Sequence, residues 1–122
     1  LKEREEALTG QLISTHPLVA ELRSKPRFLQ PGDFVRIATL VNKIYPHFTE
    51  RLTEAFPNLT ELDQQLCILI KLGFSVSQIA VFMAVSPPSV SQQKSRMKKL
   101  ILQQKTDSFT EGETLDLWLH RF

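Results

Sequence analysis

The sequence predicts an all-α fold. Three observations lead there. Apolar residues recur at three- and four-residue intervals through most of the chain. β-Branched residues never alternate with polar ones over more than a few positions. Proline, glycine and short polar residues stand at the borders of the periodic segments, where helices start and stop. With 122 residues and 42% apolar content, the chain is large enough for one core or two small subdomains sharing one. Apolar runs such as Cys67-Ile68-Leu69-Ile70 fall far short of the ~18 residues a membrane span needs. No secretory leader pattern is visible. The single cysteine, Cys67, excludes a disulfide framework and makes a reducing cytoplasm the expected compartment. Because the chain begins with Leu1, a longer protein is expected, with a sensor or membrane anchor upstream.

The elements follow in order. Residues 1–15 carry Leu1, Leu8 and Leu12 at heptad-like spacing, which reads as a helix end and a natural dimer contact. Pro17 suits the first position of a short helix over 17–23, with Leu18, Val19 and Leu22 on its apolar face and His16 as a cap. Pro26, Pro31 and Gly32 make 24–32 a connecting loop. Asp33 is the predicted N-cap of a long amphipathic helix. Its stripe is Phe34, Ile37, Val41, Ile44, Tyr45, Phe48, Leu52 and Phe56, with a bend at Pro46 and an end at Pro57-Asn58. Spacing of this kind reads as core packing rather than as a cofactor box.

Three helices then follow closely. Thr60 caps a helix over 61–72, with Asp63 completing a capping-box-like pair. Leu62, Leu66, Leu69, Ile70 and Cys67 form its buried stripe, and Gly73 supplies the left-handed end. Ser77 is the predicted cap of a short helix over 78–84, with Ile79, Phe82 and Met83 inward and Ala80 small at a close approach. Val85 and Ser86 make a turn. Pro87 or Pro88 opens a third helix reaching about residue 102, with Val90, Met97, Leu100 and Ile101 on one face. A last helix over 113–122 docks Leu115, Leu117, Trp118, Leu119 and Phe122. The predicted division is 1–57, an N-terminal helical and dimerisation subdomain, 58–105, a helix-turn-helix, and 106–122, a helix packing on the body.

Function is read from the third of these helices. The net charge is only +2, but it is unevenly placed. Between residues 64 and 106 stand six basic residues and no acidic one, whereas both flanks are net negative. A stretch without carboxylates does not repel a polyanion. A short helix, a tight turn and a helix with a polar outer face form the pattern whose second helix enters the major groove. Opposite Val90 and Met97 lie Ser91, Gln92 and Ser95. Gln can bond adenine in bidentate fashion, and Ser can bond several bases. Ser86 and Ser89 stand at the helix start, where amides and hydroxyls suit a phosphate. Lys94, Arg96, Lys98 and Lys99 supply cations for the phosphate backbone.

The sequence from Leu59-Thr60-Glu61-Leu62-Asp63 through Gly73-Phe74-Ser75 and Gln78-Ile79-Ala80 to Val85-Ser86-Pro87-Pro88-Ser89-Val90 resembles the LuxR-type (GerE) helix-turn-helix. The related region four of bacterial sigma factors is similar in fold. The resemblance covers about 44 residues and implies a DNA-binding transcription regulator whose base-facing positions are Ser91, Gln92 and Ser95. Ser91 and Gln93 stand where that family usually has a basic residue and a histidine, and Lys94 where it is usually apolar. The chain is also similar to the C-terminal region of Bacteroidetes regulators carrying tetratricopeptide repeats, through Phe48 to Leu52 and Phe56 to Thr60. That resemblance implies an upstream sensor and a membrane-anchored coiled coil.

The expected partners are double-stranded DNA, a second copy of the chain and RNA polymerase. An alternative reading is a protein-interaction module, a degenerate helix-turn-helix binding RNA polymerase, a sigma factor or itself. An enzyme has no support: no paired carboxylates, nucleophile–base set or phosphate loop occurs. His16, His47 and His120 lie far apart and lack paired ligands, so neither metal nor cofactor is expected.

Overall fold

A computed structural model describes residues 16–105 and 109–122 of the chain. The heptad-like segment over 1–15 lies outside the described residues. Those residues fold into seven α-helices and no strand. No described helix is long and apolar enough to cross a membrane.

Helix α1 (Pro17–Ser24) starts as expected. His16 is the N-cap, its Nδ1 accepting from the Leu18 amide at 3.2 Å, and Pro17 occupies the first turn. Leu18, Val19 and Leu22 are buried. The following connection is tied down where the Leu29 amide donates to the Phe82 carbonyl at 2.9 Å.

Helix α2 (Pro31–Ile44) begins earlier than predicted, because Pro31 takes the first turn and Gln30 becomes the N-cap. Asp33 therefore sits one turn in. Its carboxylate accepts from the Gln30 amide at 2.8 Å and pairs bidentately with Arg27 at 2.7 and 3.1 Å. The predicted long helix is broken, not bent. Pro46 has no amide to donate and His47 adopts φ 61°, so the chain turns into a separate α3 (Phe48–Ala55). Asn42 bridges the corner: its Oδ1 accepts from the Thr49 amide and its Nδ2 donates to Thr49 Oγ1, both at 2.9 Å. The side chain thus satisfies a backbone group that the break leaves open.

Helix α4 (Glu61–Lys71) is the hub, packed against α2, α3 and, further on, the last helix. Thr60 and Asp63 form the expected reciprocal capping box, with both bonds at 3.1 Å. Leu66 to Ile70 are all buried, as suits a helix covered on most sides. Leu62 is not part of that stripe; it is 59% exposed at the helix start. Gly73, at φ 87°, ends α4 with its amide on Ile70 and that of Phe74 on Leu69. This is the paired-carbonyl ending that a left-handed residue allows.

Helix α5 (Val76–Met83) is capped by Ser75, not Ser77. Gln78 stands three residues after Ser75 and returns a bond to its amide at 2.9 Å, a reciprocal pair that Ser77 lacks. The turn that follows repeats the α4 ending, with Ala84 at φ 54° in the left-handed role. Ser86 then caps α6 (Pro87–Gln104), whose first turn holds Pro87. Val90, Met97 and Ile101 are buried against α5 and the core.

Thr114 caps α7 (Leu115–Arg121), which packs on both α4 and α6. Leu115, Trp118 and Leu119 are buried, while Leu117, expected to dock, is 58% exposed. Trp118 lies in an aromatic cluster, its ring centroid 5.5 Å from Phe56, 5.4 Å from Phe109 and 5.0 Å from Phe122. The ammonium of Lys71 is buried and donates to the carbonyls of Leu119 and His120 at 2.7 and 3.1 Å. A cation thus closes the negative end of α7. Buried residues of all seven helices join in one apolar cluster.

Candidate nucleic-acid interface

Helix α6 is anchored by Val90, Met97 and Ile101, each fully buried. At about 100° per residue, Ser91, Gln92, Ser95 and Lys99 then fall on the opposite side. All four are exposed and, with Arg96, they line one shallow, open depression. Beside it, Ser89, Gln92, Gln93 and Arg96 meet the exposed side chain of Leu62 in a second depression. At the start of the helix, Ser86 Oγ accepts from the Ser89 amide and lies 2.8 Å from Ser89 Oγ. The two serines form a small hydroxyl pair at the positive end of the helix.

The cations are less available than their number suggests. Arg96 donates from Nη2 to Asp63 Oδ1 at 2.7 Å, and Gln93 Nε2 donates to the same oxygen at 3.2 Å. Asp63 is fully buried, so the α4 capping carboxylate also clamps the flank of α6. Lys94 pairs with both Asp116 oxygens at 3.0 Å. Lys98 donates to the Glu113 carbonyl and lies 5.0 Å from the Phe109 ring centroid. Lys71 is sequestered under α7, and Lys105 lies 5.6 Å from the Phe56 ring centroid. Lys99 stands exposed with no partner among the described residues.

The nine residues expected to meet DNA thus divide. Ser91, Gln92, Ser95, Arg96 and Lys99 share one exposed face, with Ser86 and Ser89 at its end. Lys94 and Lys98 lie on the flank covered by α7. Gln93 and Leu62, not chosen from the sequence, border the face. Spacing places Gln93 near the apolar side of α6 and Leu62 on an apolar stripe, so neither carried a signal without knowledge of its neighbours.

Other chemistry is sparse on this surface. Burial first, and then the nearby Asp63 carboxylate, push the Cys67 thiol well above its ordinary range, which favours the protonated thiol over the reactive thiolate. Among the described residues no group of His, Cys, Asp and Glu comes together to hold a metal ion. A mostly apolar groove of about 640 Å³ lies between Phe28, Phe34, Val35, Leu62 and Met83, meeting the border of the α6 face at Leu62. No family model, curated protein or solved structure matches this chain.

Proposed function

We propose that the chain binds double-stranded DNA with α6 in the major groove and regulates transcription from there. The observation that carries this reading is the exposed stripe Ser91, Gln92, Ser95 and Lys99, flanked by Arg96, on a helix whose other side is fixed in the core. The preceding α5 and its three-residue turn, 84–86, support it, since a short helix, a tight turn and a longer polar helix form the helix-turn-helix pattern. Gln92 would read adenine in bidentate fashion, and Ser91 and Ser95 would make adaptable contacts. Lys99, the outer edge of Arg96 and the Ser86–Ser89 end would meet phosphates.

Few cations are available per copy, so one chain should bind weakly. A homodimer reading adjacent half-sites would double the contacts. The test is binding to random-sequence duplexes at about 50 and 200 mM salt, followed by selection of preferred sequences. Affinity should fall with salt by a slope of roughly one to three per copy. Lys99→Glu should weaken all duplexes several-fold, while Gln92→Ala should chiefly erase preference among sequences, by about 1–3 kcal/mol. Lys43→Glu, on exposed α2 surface, should do neither. Binding that ignores salt and Lys99 would instead favour a protein partner such as RNA polymerase.

A further inference from the structure

The flank of α6 that faces α7 carries two lysines, and both are engaged. Lys94, with only 16% of its side chain exposed, meets both oxygens of Asp116. Lys98, one turn on, donates to the Glu113 carbonyl beneath the Phe109 ring. These contacts are held in place by something other than themselves. Leu115, Trp118 and Leu119 bury α7 in the core, and Lys71 and Arg51 bond to the carbonyls of its last residues. The carboxylate of Asp116 is therefore presented to Lys94 on a rigid element, as a phosphate oxygen would be. Phosphate contacts raise affinity for every sequence equally, and base contacts discriminate. A reading helix that withholds a lysine from the backbone gives up general affinity and leaves its Ser/Gln stripe to decide.

We infer that Asp116 is a specificity-determining residue: it occupies Lys94 as a resident phosphate mimic and keeps that cation from non-specific DNA contact. The inference rests on the reading of α6 given above. Asp116 is itself partly exposed, 41%, so Asp116→Asn removes the charge without opening the core.

The experiment compares the wild-type chain with Asp116→Asn, Lys94→Ala and the double variant. Each is checked for intact melting and titrated with a random-sequence duplex over a range of salt. Asp116→Asn should tighten random-duplex binding by about 2–5-fold at low salt and steepen the salt slope by about one. Lys94→Ala alone should change little, because the lysine is already occupied, and should cancel the gain in the double variant. Glu111→Gln, which removes an exposed acid from the same segment, should give a smaller gain that Lys94→Ala does not cancel. Unchanged affinity and slope in Asp116→Asn, or a gain that survives Lys94→Ala, would overturn the role of Asp116 and leave the α6 reading intact. Loss of the Lys99 effect, or no DNA binding by any variant, would overturn the α6 reading itself and this inference with it.

Discussion

The two flanks of α6 are both fastened by a cation on a carboxylate, yet they are built differently. On one side Arg96, 57% exposed, reaches a fully buried Asp63 that also caps α4 and accepts from Gln93. On the other, Lys94 reaches the partly exposed Asp116, which neither caps its helix nor lies buried. A buried carboxylate needs every partner it has, because leaving it uncompensated costs its desolvation. A carboxylate that is partly exposed loses less, since water replaces the missing partner. The first flank therefore holds the fold, while the second is the one we propose to tune what α6 offers to DNA.

The largest effect expected of a single change tests what fastens the second flank. If α7 is held by its apolar face rather than by ion pairs, Trp118→Ala should cost about 3–5 kcal/mol and should also loosen Lys94 and Lys98. Chemical denaturation measures the first, and the loss of protection of the residues 115–121 amides from exchange the second. A cost below about 1 kcal/mol would move the anchor elsewhere.

Next comes the contrast itself. Arg96→Ala should destabilise by about 2–3 kcal/mol, somewhat under a fully buried pair because the arginine is half exposed. Lys94→Ala should cost less, because water reaches the partly exposed Asp116. Equal costs would erase the distinction between the flanks.

The smallest effect is on acid stability. Arg27, and after it the Gln30 amide, hold the Asp33 carboxyl down at about 2, below its ordinary 3.8. Arg121 above all, with the Thr110 amide and Lys98, lowers the Glu113 carboxyl as well. Groups depressed by folding stabilise the native state above their ordinary values and lose that contribution as pH falls toward the folded ones. Melting temperature should therefore decline as pH drops from about 4 toward 2. Asp33→Asn combined with Glu113→Gln should start lower at neutral pH and decline less steeply. An identical acid slope in that double variant would place the lost stability at other carboxylates.

Much of the helical frame was legible because its determinants are local. Thr60 with Asp63 and His16 before Pro17 act over two or three residues, and the structure keeps both. Where a helix starts elsewhere than expected, a competing local signal wins. Ser75-x-x-Gln78 outranks Ser77, and Pro31 claims the first turn ahead of Asp33. The break at Pro46 is of the same kind: the proline interrupts the ladder, and Asn42, seven residues before Thr49, stabilises a full corner in place of a bend. The face Ser91, Gln92 and Ser95 was readable too, because helical periodicity alone sets which residues oppose Val90 and Met97.

The chain's own residue order was enough to determine an all-helical fold, the caps at His16 and Thr60 and the polar stripe of α6, since each depends on neighbours within one or two turns. Only the tertiary structure decided which charges remain to be used. Asp63 finds Arg96 across 33 residues, Lys71 the carbonyl of Leu119 across 48, and Lys94 finds Asp116 across 22. A run of six cations without an acid in its own segment reads as an open basic surface, yet folding brings acids and carbonyls from both sides to meet most of it. The physical reason is range. Capping and periodicity are settled by backbone geometry close at hand, whereas the partner of a charge is whatever the packing of apolar faces places beside it.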